Sequence, residues 1–143
     1  MYPFGHCAIS YFLVLLYNRF RKEDYHLLVL FFASILPDFD LLFYGYIPHR
    51  GPTHSIIIMT VFFIPFYIST RSGVSYYMAL LSHSMIGDLF TGSGVQLFWP
   101  LSKKWFHVPY RYKIMGRELV ILESILFLAM LIHIYFNRKK SKR

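Results

Sequence analysis

Three observations in this sequence predict an all-α fold, a polytopic membrane bundle of about five apolar helices. Of its 143 residues, 56% are hydrophobic and only 15% are charged, against about 25% charged in a soluble domain. The charges are bunched, as they are between membrane spans. Between the bunches lie five apolar stretches. At this length they form one domain, residues 1–143, closing on the basic tail 138–143.

The first stretch, 7–17, is short, and it ends in the polar run 18–24. A full span needs about 20 residues, so this helix is expected to tilt, to sit partly in the interface, or to be covered by neighbours. The second, 27–47, is interrupted by Pro37-Asp38-Phe39-Asp40. The third, 55–69, carries Pro65, which should bend it. The fourth runs over 74–90 and the fifth over 119–136. No internal repeat or low-complexity linker separates them.

Composition also excludes. A net charge of +8 would point to nucleic acid in a soluble protein. Here much of it flanks apolar segments, as topology signals and contacts to anionic membrane lipids do, so no nucleic-acid partner is expected. Cys7 stands alone, which rules out an internal disulfide. Residues 1–10 have no basic n-region and no clear small-residue cleavage site, so no cleavable signal peptide is expected.

Alternating crossings assign loops 19–24, 70–73 and the tail to one side, with nine of the 15 Lys/Arg. The N-terminus, 48–54 and 91–118 fall on the other side with six. Positive charge favours the cytoplasm. The chain is therefore expected to be multi-pass in the cell membrane with its tail inside, although Lys103, Lys104, Arg111, Lys113 and Arg117 pull the other way.

The unusual polar residues can be placed on that map. At 1.5 Å per helical residue, His6, Asp38, His54 and His83 each fall roughly 15–24 Å from the inner face. Four helices thus bring a His or Asp to a similar depth, toward the outer half of the bilayer. Asp40, His49 and Asp88 lie near that layer. Ionisable groups there cost roughly 2.5–3.5 kcal/mol each on insertion scales and face the bundle interior. Several carboxylates and imidazoles together invite a bound divalent cation. Imidazole and carboxylate suit zinc, manganese or iron, and the lack of a second cysteine excludes a thiolate-rich site.

Each motif alone has a plainer explanation. Pro37 to Asp40 would serve as a helix break with Asp38 or Asp40 as cap. His49-Arg50-Gly51-Pro52-Thr53-His54-Ser55 would serve as a turn entering a helix, though two His, one Arg and two hydroxyls are dense for that. Ser82-His83-Ser84 with Asp88 would serve as interhelical glue. His6 alone needs no explanation, and His26, His107 and His133 lie away from the layer.

The order of these motifs resembles the YdjM-type family of membrane-bound metal-dependent hydrolases. It is carried by His6, Pro37 to Asp40, His49 to Ser55, His83 with Asp88, and Gly94 to Leu101. The His-Arg-Gly-Pro-Thr-His-Ser string is the specific part; the others gain weight from their order. That family is distantly similar to the zinc-dependent phospholipase C and nuclease superfamily, which implies an all-helical metal site and phosphoester hydrolysis. By position the resemblance implies His6, Asp38, His49 or His54, His83 and Asp88 as metal ligands. Two departures stand out. The usual family spacing is His-x-x-x-Asp, whereas His83 and Asp88 are five apart, about 140° around an ideal helix. They share a site only if the helix distorts or ends near Gly87. The phospholipase relatives also use an amino terminus as ligand, which nothing around Met1 foretells.

The function expected is a metal-dependent hydrolase at the outer membrane interface, using a divalent metal, zinc first. Asp38 or Asp40 would accept a proton from water, and Arg50 would clamp a phosphate. Phe98, Trp99, Trp105 and Phe106 point to a lipid or lipid-linked substrate. The alternatives are a non-enzymatic metal-binding membrane protein or a small transporter, for which an oligomer would have to supply the missing half.

Overall fold

The computed structural model describes residues 1–43, 45–70, 73–92 and 94–141. Arg71 and the end of the tail, on which the topology reading partly rests, lie outside the described residues. Five helices account for most of the chain: α1 (Pro3–Arg21), α2 (Leu27–Ile35), α3 (Ile56–Thr70), α4 (Val74–Ser82) and α5 (Gly116–Ser141). Among the described residues there is no strand; Val95 and Phe106 form an isolated bridge.

Local sequence explains the boundaries. Pro3 fits the first turn of α1, where its missing N–H costs nothing. The apolar stretch in α1 is short, as expected, but the helix is not. It runs for 19 residues because the polar run continues it to Arg21, and Lys22 caps it in the left-handed region at φ 50. Pro37 ends α2 early, and the chain tightens into a 3-10 run over Leu36–Phe43. A second 3-10 turn, Pro52–His54, leads into α3, which carries Pro65. α4 widens into a π turn over His83–Asp88.

α1 lies at the centre and packs against α2, α4 and α5. Small residues let the backbones approach: Ala8, Ser10, Ala79 and Ser82 are buried, and the Ser10 and Ser82 hydroxyls meet at 2.8 Å. Tyr11, Val14, Leu30 and Met130 fill the rest of the core. Side-chain contacts fix helix directions. Tyr2 and Tyr11 of the α1 strip meet Glu123 and His133 of α5, so these two helices run parallel. The Ser10–Ser82 contact and the stacking of His6 on His83 make α4 antiparallel to α1.

Loops therefore collect at two ends. At one end the Glu23 carboxylate accepts from the backbone N–H groups of Gly73, Val74 and Ser75 and from the Ser75 hydroxyl, capping α4 across the bundle. The other end gathers 36–43, 45–54, 83–92 and 94–116. Only Gly116–Asn137 in α5 is long and apolar enough to cross a membrane among the described residues, and its most apolar 18 residues are mostly exposed. α3 holds a shorter apolar helix, Ile56–Ile68.

Candidate metal centre

The breaks in helix geometry build this site. Three residues beyond Ser34 stands Pro37, which has no N–H to offer. The Ser34 carbonyl accepts instead from His83 Nδ1 at 2.7 Å. A carbonyl only accepts, so Nδ1 carries the proton and Nε2 of the neutral ring presents a lone pair. His54 is oriented alike. The Thr53 hydroxyl donates to Asp40 Oδ2 at 2.9 Å, and His54 Nδ1 lies 3.0 Å from that hydroxyl and 3.4 Å from the carboxylate. Its Nε2 is thereby free as well. A carboxylate behind an imidazole fixes the tautomer that a metal needs.

The π turn brings the fourth group round. In an α-helix His83 and Asp88 would point about 140° apart. An i→i+5 turn, closed by the Leu89 N–H on the Ser84 carbonyl at 3.1 Å, returns Asp88 to the face of His83. The helix distorts and, with Asp88 its last residue, ends beside Gly87. A Cβ there would stand 2.3 Å from His6, so its role is to make room for that ring.

Four ligand atoms now meet: Asp38 Oδ1, His54 Nε2, His83 Nε2 and Asp88 Oδ2. Five of their six separations are 3.2, 3.2, 3.3, 3.3 and 3.4 Å. Zinc ligands at about 2.0–2.1 Å in a tetrahedron stand roughly 3.3–3.4 Å from one another. Asp88 Oδ2 is buried without a hydrogen-bond donor, facing two nitrogen lone pairs. That arrangement asks for a cation at its centre, and these residues could hold a metal ion. Without one, protons take the place: burial would keep His54 neutral, but Asp38, Asp40 and Asp88 push it up to about 10.

The remaining expected residues stand around this group. Asp40 is fully buried and accepts from His49 Nδ1 at 2.9 Å, the Arg50 N–H at 3.1 Å and Thr53. With His49 and His54 it forms a second group of possible ligands. His6 stands beside that group of four and is not one of it. Its ring stacks on His83 at 3.7 Å, with Nε2 3.8 Å from Asp88 Oδ1 and both nitrogens unpartnered. Arg50 holds the outer oxygen of Asp88 at 2.9 Å and the Thr91 carbonyl at 2.7 Å. Gly92 permits that approach, since a Cβ would lie 2.0 Å from the guanidinium. Beyond Arg50 opens a cleft of about 800 Å³, lined by 45–50 and Gly92.

Several contributors carry no sequence signal of this role: the Ser34 carbonyl, Thr91, and the Met1 amine, which lies 3.4 Å from Asp88 Oδ1 and 3.0 Å from Thr91 Oγ1. Thr53 had one, its place inside the dense string 49–55.

No curated protein and no solved structure matches the chain. A family model does match over residues 1–141, so it takes in α1, the centre and α5 alike. Its description names a membrane location and no reaction. On that match the chain belongs to the YdjM inner membrane protein family.

Proposed function

We propose that the chain is a multi-pass membrane hydrolase that uses a divalent metal, zinc first, to cleave phosphoester bonds in a lipid or lipid-linked substrate. Support comes above all from the four ligand atoms of Asp38, His54, His83 and Asp88, spaced as a tetrahedral cation requires. A bound metal supplies polarisation of a phosphoryl oxygen and a water of lowered pKa. This chain's own residues do the rest. Asp38, the ligand carboxylate with a side chain 20% exposed, is placed to accept a proton from water. Asp40, which accepts from three donors, orients His54. Arg50 borders the cleft and keeps N–H groups beyond those given to Asp88 and Thr91 for a phosphoryl oxygen. The site faces outward and the basic tail inward.

The test uses purified protein in detergent. It should carry stoichiometric metal and release phosphate or a phosphoalcohol from a panel of phospholipids and lipid diphosphates. Chelation should remove both, and zinc should restore both. Stoichiometric metal without turnover on any phosphoester would overturn the hydrolase and leave a metal-binding protein. Metal-dependent ion flux in liposomes would favour a transporter instead.

A further inference from the structure

Residues 89–117 hold five of the chain's 15 Lys/Arg and no Asp or Glu. On the outward end, such a run opposes the positive-inside tendency, so something other than topology retains the charge. The segment is firmly held. Val95 and Phe106 exchange two backbone hydrogen bonds of 2.9 Å, Val108 N–H reaches the Leu89 carbonyl, and Ile114 N–H reaches that of Phe90. The Ser55 hydroxyl bonds the carbonyls of Leu97 and Trp99, and Gln96 N–H bonds that of Arg50 at 3.0 Å, tying the segment's base to the site.

Its cations pair with rings rather than acids. Lys104 lies 5.6 Å from the Phe106 ring, Arg111 4.8 Å from Tyr112 and Lys113 5.5 Å from Tyr110. Among the described residues no carboxylate forms an ion pair with any of the five. Trp105, Tyr110 and Tyr112 are exposed, as are Lys103, Lys104 and Arg111. Three residues after Lys113 the chain enters α5 at Gly116, the helix fit to cross a membrane. Rings with cations at the mouth of a span are what headgroup level selects.

We propose that residues 98–113 form a collar for anionic phospholipid, with the rings at headgroup level and Lys103, Lys104 and Arg111 on the lipid's negative charge. The collar gathers anionic lipid at the mouth of the site. It rests on the membrane placement of the proposed function and not on hydrolysis, so binding alone reads it.

Both tryptophans of the chain, Trp99 and Trp105, lie in this segment, so intrinsic fluorescence reports on it. The full chain, reconstituted in phosphatidylcholine nanodiscs, is titrated with brominated phosphatidylglycerol or brominated phosphatidylcholine. Half-maximal quenching should need roughly tenfold less of the anionic lipid, and high salt should erase the difference. The K103E/K104E/R111E variant should keep its metal and lose the preference. Equal quenching by the two lipids, no quenching by either, or a preference that survives both salt and charge reversal would overturn the collar.

Discussion

Arg50 adopts φ 65, a left-handed conformation that costs a non-glycine residue about 1–3 kcal/mol. Two backbone contacts hold it there, its N–H on Asp40 and its carbonyl taken by Gln96. That conformation brings the guanidinium to Asp88, so under the proposed function Arg50 bears on metal and substrate together. Arg50→Lys keeps the charge and loses the fork. Chelator competition should show metal affinity weaker by about tenfold, the usual effect of losing a partner of a ligand, with turnover falling further. Unchanged affinity would detach Arg50 from the centre. The two imidazoles of the string 49–55 should separate more sharply. His54→Ala should lose the metal, while His49→Ala, which removes a donor to Asp40, should bind it more weakly. Equal loss in both would move the centre to the Asp40 group. The sequence left His49 and His54 as alternatives for a physical reason. Both fall in the one string that carries the resemblance, and position along the chain does not say which imidazole a turn directs inward.

At the scale of elements the π turn makes the firmest claim. Deleting Ile86, which is exposed, shortens the His83–Asp88 spacing to four and should convert the turn to ordinary α-helix. Residues four apart share a helix face, so metal uptake should survive the deletion. Inserting an alanine after Ile86 rotates Asp88 away and should abolish it. If the deletion destroys uptake as fully as the insertion, the π geometry is needed for more than rotation. The five helices themselves were legible from the apolar stretches, and the break at Pro37 from its missing N–H. The π turn was legible only as a misfit in spacing, because no residue type marks one. The cap by Glu23 was not legible, since it joins residues about fifty apart. Burial opposes its charge, but the Ser75 hydroxyl and the N–H groups of Ser75, Gly73 and Val74 outweigh burial and hold the carboxyl below its ordinary value of 4.5. A lowered carboxyl stabilises above its unfolded value and loses that contribution as pH falls through the folded one. Thermal midpoints should therefore drop from pH 6 toward pH 3, with a smaller drop in Glu23→Gln. Identical pH profiles would dismiss the cap.

For the whole molecule, α5 matters beyond its length. Both Glu123 oxygens accept from the Tyr2 N–H at 3.1 and 3.2 Å, at the start of the helix that carries His6, and Tyr11 meets His133 two to three turns further on. Glu123→Leu should leave the bundle folded but loosen that start, and slower, weaker zinc uptake against unchanged helicity would show it. Zinc uptake like that of the unaltered chain would confine Glu123 to packing. The contact also has a consequence in time. During synthesis α1 leaves the ribosome long before residue 123 does. Until α5 packs beside it, the first turn of α1 lacks its acceptor, and Met130 is missing from the core. A nascent chain stalled before α5 would hold every candidate ligand yet not the register that aligns them. Competence for metal should thus arrive with α5, so that an unfinished chain does not load too early.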